Sequence, residues 1–326
     1  MTVDVLCLRP KIDFERVDAL PSSALNIIYR APDDSDVPEL MNQARALVIP
    51  AVGPKLDASL FDRTQLQLVQ VTGAGLDRLD RSALKRAGIS VANVPGGSNQ
   101  AVAEYAVTTA TVLLRQFAWS SAAIHDGNYV EVRARMVREN LAGLDGLLVG
   151  IVGFGVIGVA VAEAFQKWGC RICYYDPAPS NPKLAQTMGA QSVSLSELLE
   201  SSDVVSLHVP LLPATKGLIG AAELAKMKAG AILVQASRGG IVDEEALALD
   251  LQSGHLGGAA VDVYSTEPPT MDNPLLALKG EAARRLLLTP HIAGVTRQSA
   301  ALLFRSAWKN VERVLISHEA PQNRVY

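Results

Sequence analysis

Residues 147–176 read LLVGIVGFGVIGVAVAEAFQKWGCRICYYD. Leu147 to Val152 is a short apolar run with β-branched members, the pattern of a strand buried on both faces of a parallel sheet. Gly153-x-Gly155-x-x-Gly158 follows, and after it Ala160, Val161, Ala164 and Phe165 recur at helical spacing. A second apolar run, Arg171 to Tyr175, ends in Asp176. The order is strand, glycine loop, helix, strand, acid.

Each part has a physical reason. Gly153 permits the tight turn out of the strand, Gly155 lets the backbone approach a pyrophosphate, and Gly158 lets the helix pack close to the strand. The helix N-terminus then offers unpaired N–H groups and a positive dipole end to phosphates, and Val156 and Ile157, between the glycines, are counted with them as cofactor-binding. Asp176 stands about 20 residues past the glycines, where a carboxylate can accept the ribose hydroxyls of a dinucleotide. It is followed by Pro177, Ala178, Pro179 and Ser180. With no Arg there to meet a 2′-phosphate, the stretch favours NAD over NADP.

From this unit the rest can be bounded. A chain of 326 residues, 49% hydrophobic and 19% charged, holds one to three packed domains. A net charge of −3 supplies no basic field for nucleic acid or anionic lipid. There is no long apolar run behind a basic start, and no stretch of about 18 apolar residues, so neither membrane nor secretion is expected and cytoplasm is the expected compartment. Cys170 and Cys173 form a CxxC. They flank a strand on which residues three apart face opposite sides, and no second pair completes a zinc site, so no metal is expected.

Residues 1–95 alternate short apolar strands with weaker helical patterns, which reads as a small α/β unit. The strands are Val3 to Leu8, Leu25 to Tyr29, Ala46 to Ile49, Leu66 to Val71 and Ile89 to Val94. Ser98 or Asn99 caps an apolar helix expected to run to about His125, and the polar GNYVEVRARMVREN after it reads as an arm or loop. Later strands are expected at Val204 to His208, Ala231 to Gln235, Ala259 to Val263 and Leu286 to Thr289, and Thr296 to Ile316 is one amphipathic helix. The alternation implies a doubly wound sheet.

Ligands in such sheets sit outside the carboxyl ends of the strands. Polar residues following the late strands are therefore the candidates: Arg238 in QASRGG, Asp262 and Glu267 in DVYSTEPP, and His291 in LLLTPHIAG. A cation can hold a carboxylate bidentately. An imidazole can take the hydroxyl proton of an alcohol as hydride leaves, or return it. A carboxylate beside it orients the ring and favours imidazolium. His208, at the end of an apolar strand, reads from its position as a structural histidine. His125, His255 and His318 receive no role.

Together these motifs resemble the D-2-hydroxyacid dehydrogenase family, which includes phosphoglycerate dehydrogenases and hydroxypyruvate reductases. The resemblance spans nearly the whole chain: VTGAGLDRLD at 71–80, SNQAVAEYAV at 98–107, GIVGFGVIG at 150–158, LHVPLLPATKGLI at 207–219, SRGGIVDE at 237–244, TPHIAG at 289–294 and the ending PQNRVY. It implies an α/β fold of two doubly wound parallel-sheet domains. One is a Rossmann NAD-binding domain over 99–294, with the long linking helix near 100–125. The other is a smaller flavodoxin-like substrate domain built discontinuously from 1–98 and 295–326. It implies Arg238, Glu267 and His291 as the catalytic set, and Asp262 near the nicotinamide carboxamide. His208, Val209, Pro210 and Thr215 would surround the adenosine half, with Ala236 also lining the cofactor site. Backbone N–H groups near Ala74 and Gly75 would help Arg238 hold a small 2-hydroxy or 2-oxo acid. Members are usually homodimers built around the long helix and the arm.

Three departures stand out. Val156 replaces a frequent Arg after the second glycine, Gln235 replaces a usual Asn, and Tyr129 stands where a Trp is common. Glu267 argues against formate dehydrogenases, which carry Gln there. Two other readings share the fold: an NAD-sensing binding module of the corepressor type, and a phosphite-type dehydrogenase, against which Ala74 occupies a place expected to hold Lys. The loop IPAVGPK around Val52, apolar apart from Lys55, is expected to line the substrate pocket.

Overall fold

A computed structural model describes residues 3–62, 64–179 and 182–326. Ser180, at the end of the segment after Asp176, lies outside the described residues. The chain divides into two compact units, Met1–Ser98 with Val295–Tyr326, and Asn99–Gly294.

The first unit carries a five-stranded sheet of β1 (Val5–Cys7), β2 (Ile27–Tyr29), β3 (Ala46–Ile49), β4 (Leu68–Val71) and β5 (Ser90–Ala92). All are parallel, in the order β2-β1-β3-β4-β5. This is the flavodoxin-like order, whose switch point lies between β1 and β3. β1, β3 and β4 are buried throughout, as expected for apolar strands covered on both faces. The terminal helix Arg297–Leu315 is capped by Thr296, whose side chain accepts the Ser299 N–H. It buries Phe304 and Trp308 against Phe14. The chain then returns as an edge beside β5: Val325 N–H donates to the Val91 carbonyl and Val91 N–H to the Tyr326 carbonyl.

The second unit carries seven parallel strands in the order β12-β11-β10-β9-β6-β7-β8. They are β6 (Leu148–Val152), β7 (Arg171–Tyr175), β8 (Gln191–Ser192), β9 (Val204–Leu207), β10 (Ile232–Gln235), β11 (Gly258–Val261) and β12 (Leu286–Leu288). The connectivity reverses between β6 and β9, so the loop after Val152 sits at the switch point, where doubly wound sheets bind ligands. Cys173 packs into the core on one face of this sheet and Cys170 into the core on the other. The described cysteines are free and buried.

Two local expectations change. The apolar helix from Asn99 ends at Leu114 rather than near His125, because Gln116 adopts a left-handed conformation (φ 51°) and a new helix, Phe117–His125, starts there. The polar stretch after it is also helical, Tyr129–Arg138, rather than loop. Its charges have partners that the chain pattern alone does not show. Arg135 donates to Glu139 and Glu281 and lies over the Trp119 ring at 4.4 Å, so the two short helices hold each other.

Candidate active site

The glycine loop has the shape that the motif demands. Gly153 lies at φ +92°, and a Cβ there would come within 2.6 Å of the His208 carbonyl oxygen. Only glycine allows β6 and β9 to approach this closely while the chain turns. A Cβ on Gly158 would collide with the Gly153 carbonyl, so the helix Val156–Gln166 can sit on the loop only with glycine there. Gly155 is its N-cap, and Val156, in the first turn, is 60% exposed. Asp176 reaches back to this loop. One carboxylate oxygen accepts the Phe154 N–H (2.7 Å) and the other the Ala178 N–H (2.8 Å). Each oxygen keeps lone-pair capacity for a hydroxyl. Loop, helix start and acid together fit a dinucleotide.

On the far side of the switch point, Thr215 closes the 208–215 segment, donating to the Pro210 carbonyl (2.6 Å) and accepting the Leu212 N–H (2.8 Å). Val209 lies against Gly153, its Cγ1 2.8 Å from where a Cβ there would stand. The His208 Nε2 meets the Ser206 hydroxyl at 2.8 Å, while its Nδ1 is enclosed without a partner. Burial pushes this imidazole down to about 3, so it is neutral at physiological pH.

Arg238 stands in the turn after β10, next to the partly buried Ala236. Gln235, buried at the strand end, organises that turn. Its amide nitrogen donates to the Arg238 carbonyl (2.8 Å) and its oxygen accepts the Ser237 hydroxyl (2.7 Å). The departure from Asn therefore keeps a positioning function. Arg238 Nη1 donates to the Ser237 carbonyl at 2.7 Å. A Cβ on Gly239 would collide with the Tyr264 carbonyl, so the Arg238 turn lies directly against the segment leading to Glu267.

Glu267 and His291 are joined. Glu267 Oε2 is 2.8 Å from His291 Nδ1, and Oε1 accepts the Tyr264 N–H at 3.0 Å. A carboxylate only accepts, so Nδ1 carries the proton and Nε2 is the ring atom left to exchange one. His291 has φ 56°, uncommon for a non-glycine residue. Asp262 holds it there. Asp262 is 1% exposed, its carbonyl accepts the His291 N–H (2.8 Å), and its carboxylate accepts the Ile292 and Ala293 N–H groups (2.8 Å each). The Thr289 hydroxyl completes the carboxylate at 2.6 Å.

Several site residues had no sequence signal. Tyr264 supports Glu267 through its N–H and the Thr289 carbonyl through its hydroxyl (3.0 Å). Glu244 accepts the Ser265 N–H and hydroxyl and the Asn273 amide, bracing the same loop. Tyr105, on the apolar helix, reaches Thr289 (2.8 Å). All three act across elements distant in sequence, which periodicity does not reveal.

In the first unit, the turn after β4 carries Ala74, exposed, and Gly75, buried, with the Ala74 carbonyl accepting the Asn93 amide at 2.8 Å. Arg78, 3% exposed, holds the loop after β3, donating to the Pro54 and Pro50 carbonyls. Lys55 lies 3.8 Å from the Asp80 carboxylate. Among the described residues no His, Cys, Asp or Glu cluster could hold a metal ion, and no helix is long and apolar enough to cross a membrane.

The profile of the D-isomer specific 2-hydroxyacid dehydrogenase NAD-binding domain matches residues 107–293. The chain belongs to the D-2-hydroxyacid dehydrogenase family. It is similar to the (S)-sulfolactate dehydrogenase of Chromohalobacter salexigens, with 38% identity over 80% of each chain. It is also similar to the hydroxypyruvate reductase of Blautia hydrogenotrophica, with 31% identity over 97% of this chain and 96% of that one. It matches the D-3-phosphoglycerate dehydrogenase of Archaeoglobus fulgidus at 36% identity over 75% of this chain, but spans only 45% of that protein's length. Among solved structures, the holo D-mandelate dehydrogenase of Rhodotorula graminis superposes with a TM-score of 0.84 at 26% identity, covering 100% of this chain and 98% of that one. The expected family, its two-domain fold and its NAD-binding domain thus hold for this chain.

Proposed function

We propose that the chain interconverts a small 2-oxo acid and the corresponding 2-hydroxy acid with NAD(H). The observation that carries this reading is the His291–Glu267 pair at 2.8 Å, with Arg238, Glu267 and His291 each following one of three adjacent parallel strands. Bound NADH would supply the hydride. Gly153, Gly155, Val156, Ile157 and Gly158 would hold its pyrophosphate, Asp176 a ribose, and His208, Val209, Pro210 and Thr215 the adenosine half. Ala236 and the Asp262 segment would flank the nicotinamide. The uncharged His208 offers no cation to a phosphate, which supports the adenosine half there.

Arg238 then anchors the substrate carboxylate through its planar fork. His291 gives a proton from Nε2 to the ketone oxygen in reduction and takes it back in oxidation. Glu267 keeps the ring in the tautomer that leaves Nε2 available and stabilises the imidazolium. Residues 1–98 with 295–326 serve as the substrate domain, the Ala74–Gly75 turn is assigned to the substrate carboxylate, and 99–294 is the cofactor domain. The exposed Phe117, Tyr129, Val130 and Val137 on the two short helices support a homodimer, and the free buried thiols support a cytoplasmic setting.

The test is NADH oxidation across a panel of 2-oxo acids: glyoxylate, pyruvate, hydroxypyruvate, phenylglyoxylate and sulfopyruvate. Turnover of at least one that collapses in His291→Ala while NADH still binds is expected. No turnover with any of them, at NADH concentrations that saturate binding, would leave a binding role in its place.

A further inference from the structure

We propose that Tyr105 is a positioning residue for His291, acting through a one-way hydrogen-bond chain that runs from Tyr105 to Thr289 to Asp262. The inference rests on the acid–base reading of His291. Its direction follows from the end of the chain. The Asp262 carboxylate only accepts, so Thr289 must donate to it at 2.6 Å. The single Thr289 proton is then spent, and Tyr105 must be the donor in the 2.8 Å contact between their hydroxyls. Burial pushes the Tyr105 hydroxyl up to about 12, so it keeps that proton across the working range.

What the chain holds is the unusual part of the site. Asp262 alone contributes four acceptor contacts around the His291 turn: its carbonyl to His291 N–H, and its carboxylate to Ile292 N–H, Ala293 N–H and the Thr289 hydroxyl. A left-handed histidine persists only where its surroundings over-determine it. Thr289 is gripped twice, its hydroxyl by Tyr105 and its carbonyl by the Tyr264 hydroxyl at 3.0 Å. Hydrogen bonds in such a series polarise one another, so the first donor strengthens the last contact. A phenylalanine at 105 would fill the same half-buried place on the helix Asn99–Leu114. Tyr105→Phe thus keeps the ring and removes only the hydroxyl that meets Thr289. That helix begins where the chain enters the second unit, and Thr289 lies shortly before the chain leaves it at Gly294. The Tyr105–Thr289 bond thus sets His291 against the element that opens its unit.

The test is a double-mutant cycle of Tyr105→Phe and Thr289→Val, assayed with a 2-oxo acid that the wild type reduces. Loss of a neutral hydrogen bond predicts a fall in kcat of about 3- to 10-fold for Tyr105→Phe, with NADH affinity and KM for NADH unchanged. Thr289→Val removes a bond to a carboxylate and should lose about 10- to 100-fold. Because Tyr105 acts only through Thr289, the double variant should be no slower than Thr289→Val. Wild-type kcat in Tyr105→Phe, or losses that multiply in the double variant, overturns the proposal. A readout free of turnover is the Nδ1 proton of His291 in NMR spectra, expected to shift or broaden in Tyr105→Phe; an unmoved signal also counts against the chain. His291→Ala separates the two levels. If it keeps wild-type turnover, the acid–base reading falls. If it loses turnover while Tyr105→Phe does not, only the positioning role falls.

Discussion

Replacing Glu267 by Gln tests whether the His–Glu pair works as a unit. Glu267 accepts from two donors at once, His291 Nδ1–H and Tyr264 N–H. Gln has one oxygen, so one of these donors must face an amide NH₂. Whichever way the amide turns, the charge that favours imidazolium is gone. A hydrogen bond involving a charged group contributes about 1.5–3 kcal/mol. The two side chains are 25% and 29% exposed, so solvent screens the pair and the lower end, about 1.5 kcal/mol, is appropriate. That corresponds to about a tenfold loss of rate. Ketone reduction draws its proton from His291, so kcat for reduction should fall about tenfold in Glu267→Gln with NADH affinity unchanged. Alcohol oxidation returns a proton to the same ring, so its kcat should fall as well. Steady-state kcat and KM in both directions, with NADH binding measured separately, for wild type and variant, is the assay. Wild-type kcat in both directions in Glu267→Gln would refute the coupling.

Three further outcomes follow from the site. Arg238→Lys keeps the charge but loses the planar fork, so KM for the oxo acid should rise and kcat/KM fall with NADH binding intact; wild-type kinetics would remove Arg238 as the anchor. Asp176→Ala combined with Pro177→Arg should narrow the NADH-over-NADPH ratio of kcat/KM, because the carboxylate that would repel a 2′-phosphate is gone and a cation is present; a wild type that prefers NADPH contradicts the assignment of Asp176. For His208, burial lowers the imidazole from 6.5 to about 3. The unfolded chain takes up a proton as pH drops below 6.5 and the native one does not until about 3, so this stability is full above 6.5 and lost as pH falls toward 3. His208→Asn should therefore flatten the fall of Tm between pH 7 and 4, and an unchanged slope would show that His208 is not the group responsible.

The glycine loop was legible in the sequence because its constraints are local. Gly153 and Gly158 are demanded by atoms within one strand–turn–helix unit and its neighbouring strand, and the spacing to Asp176 follows from the length of one helix and one strand. Candidate catalytic residues were legible for a related reason: parallel strands deliver whatever follows them to one edge, so Arg238, Glu267 and His291 could be read as strand-end residues. The helix break at Gln116 was not legible, because helix-compatible residues continue past it (Phe117, Ala118, Trp119, Ala122, Ala123) and Gln116 is held by Glu139, 23 residues on. Nor was the partnership of Arg135 with Glu281, 146 residues away, which turns a polar stretch into a packed helix.

What the sequence determined by itself is therefore the set of groups: two parallel α/β units, a dinucleotide loop with its acid, and a cation, a carboxylate and an imidazole at strand ends. What only the tertiary structure decided is how those groups are held. The left-handed His291, the Asp262 clamp beneath it, and the convergence of Tyr105 and Tyr264 on Thr289 all join strands or helices that are far apart along the chain. Hydrogen bonds of this kind depend on a donor and acceptor meeting within about 3 Å. No periodicity along the chain encodes that meeting; it exists only once the sheet has fixed its strand order.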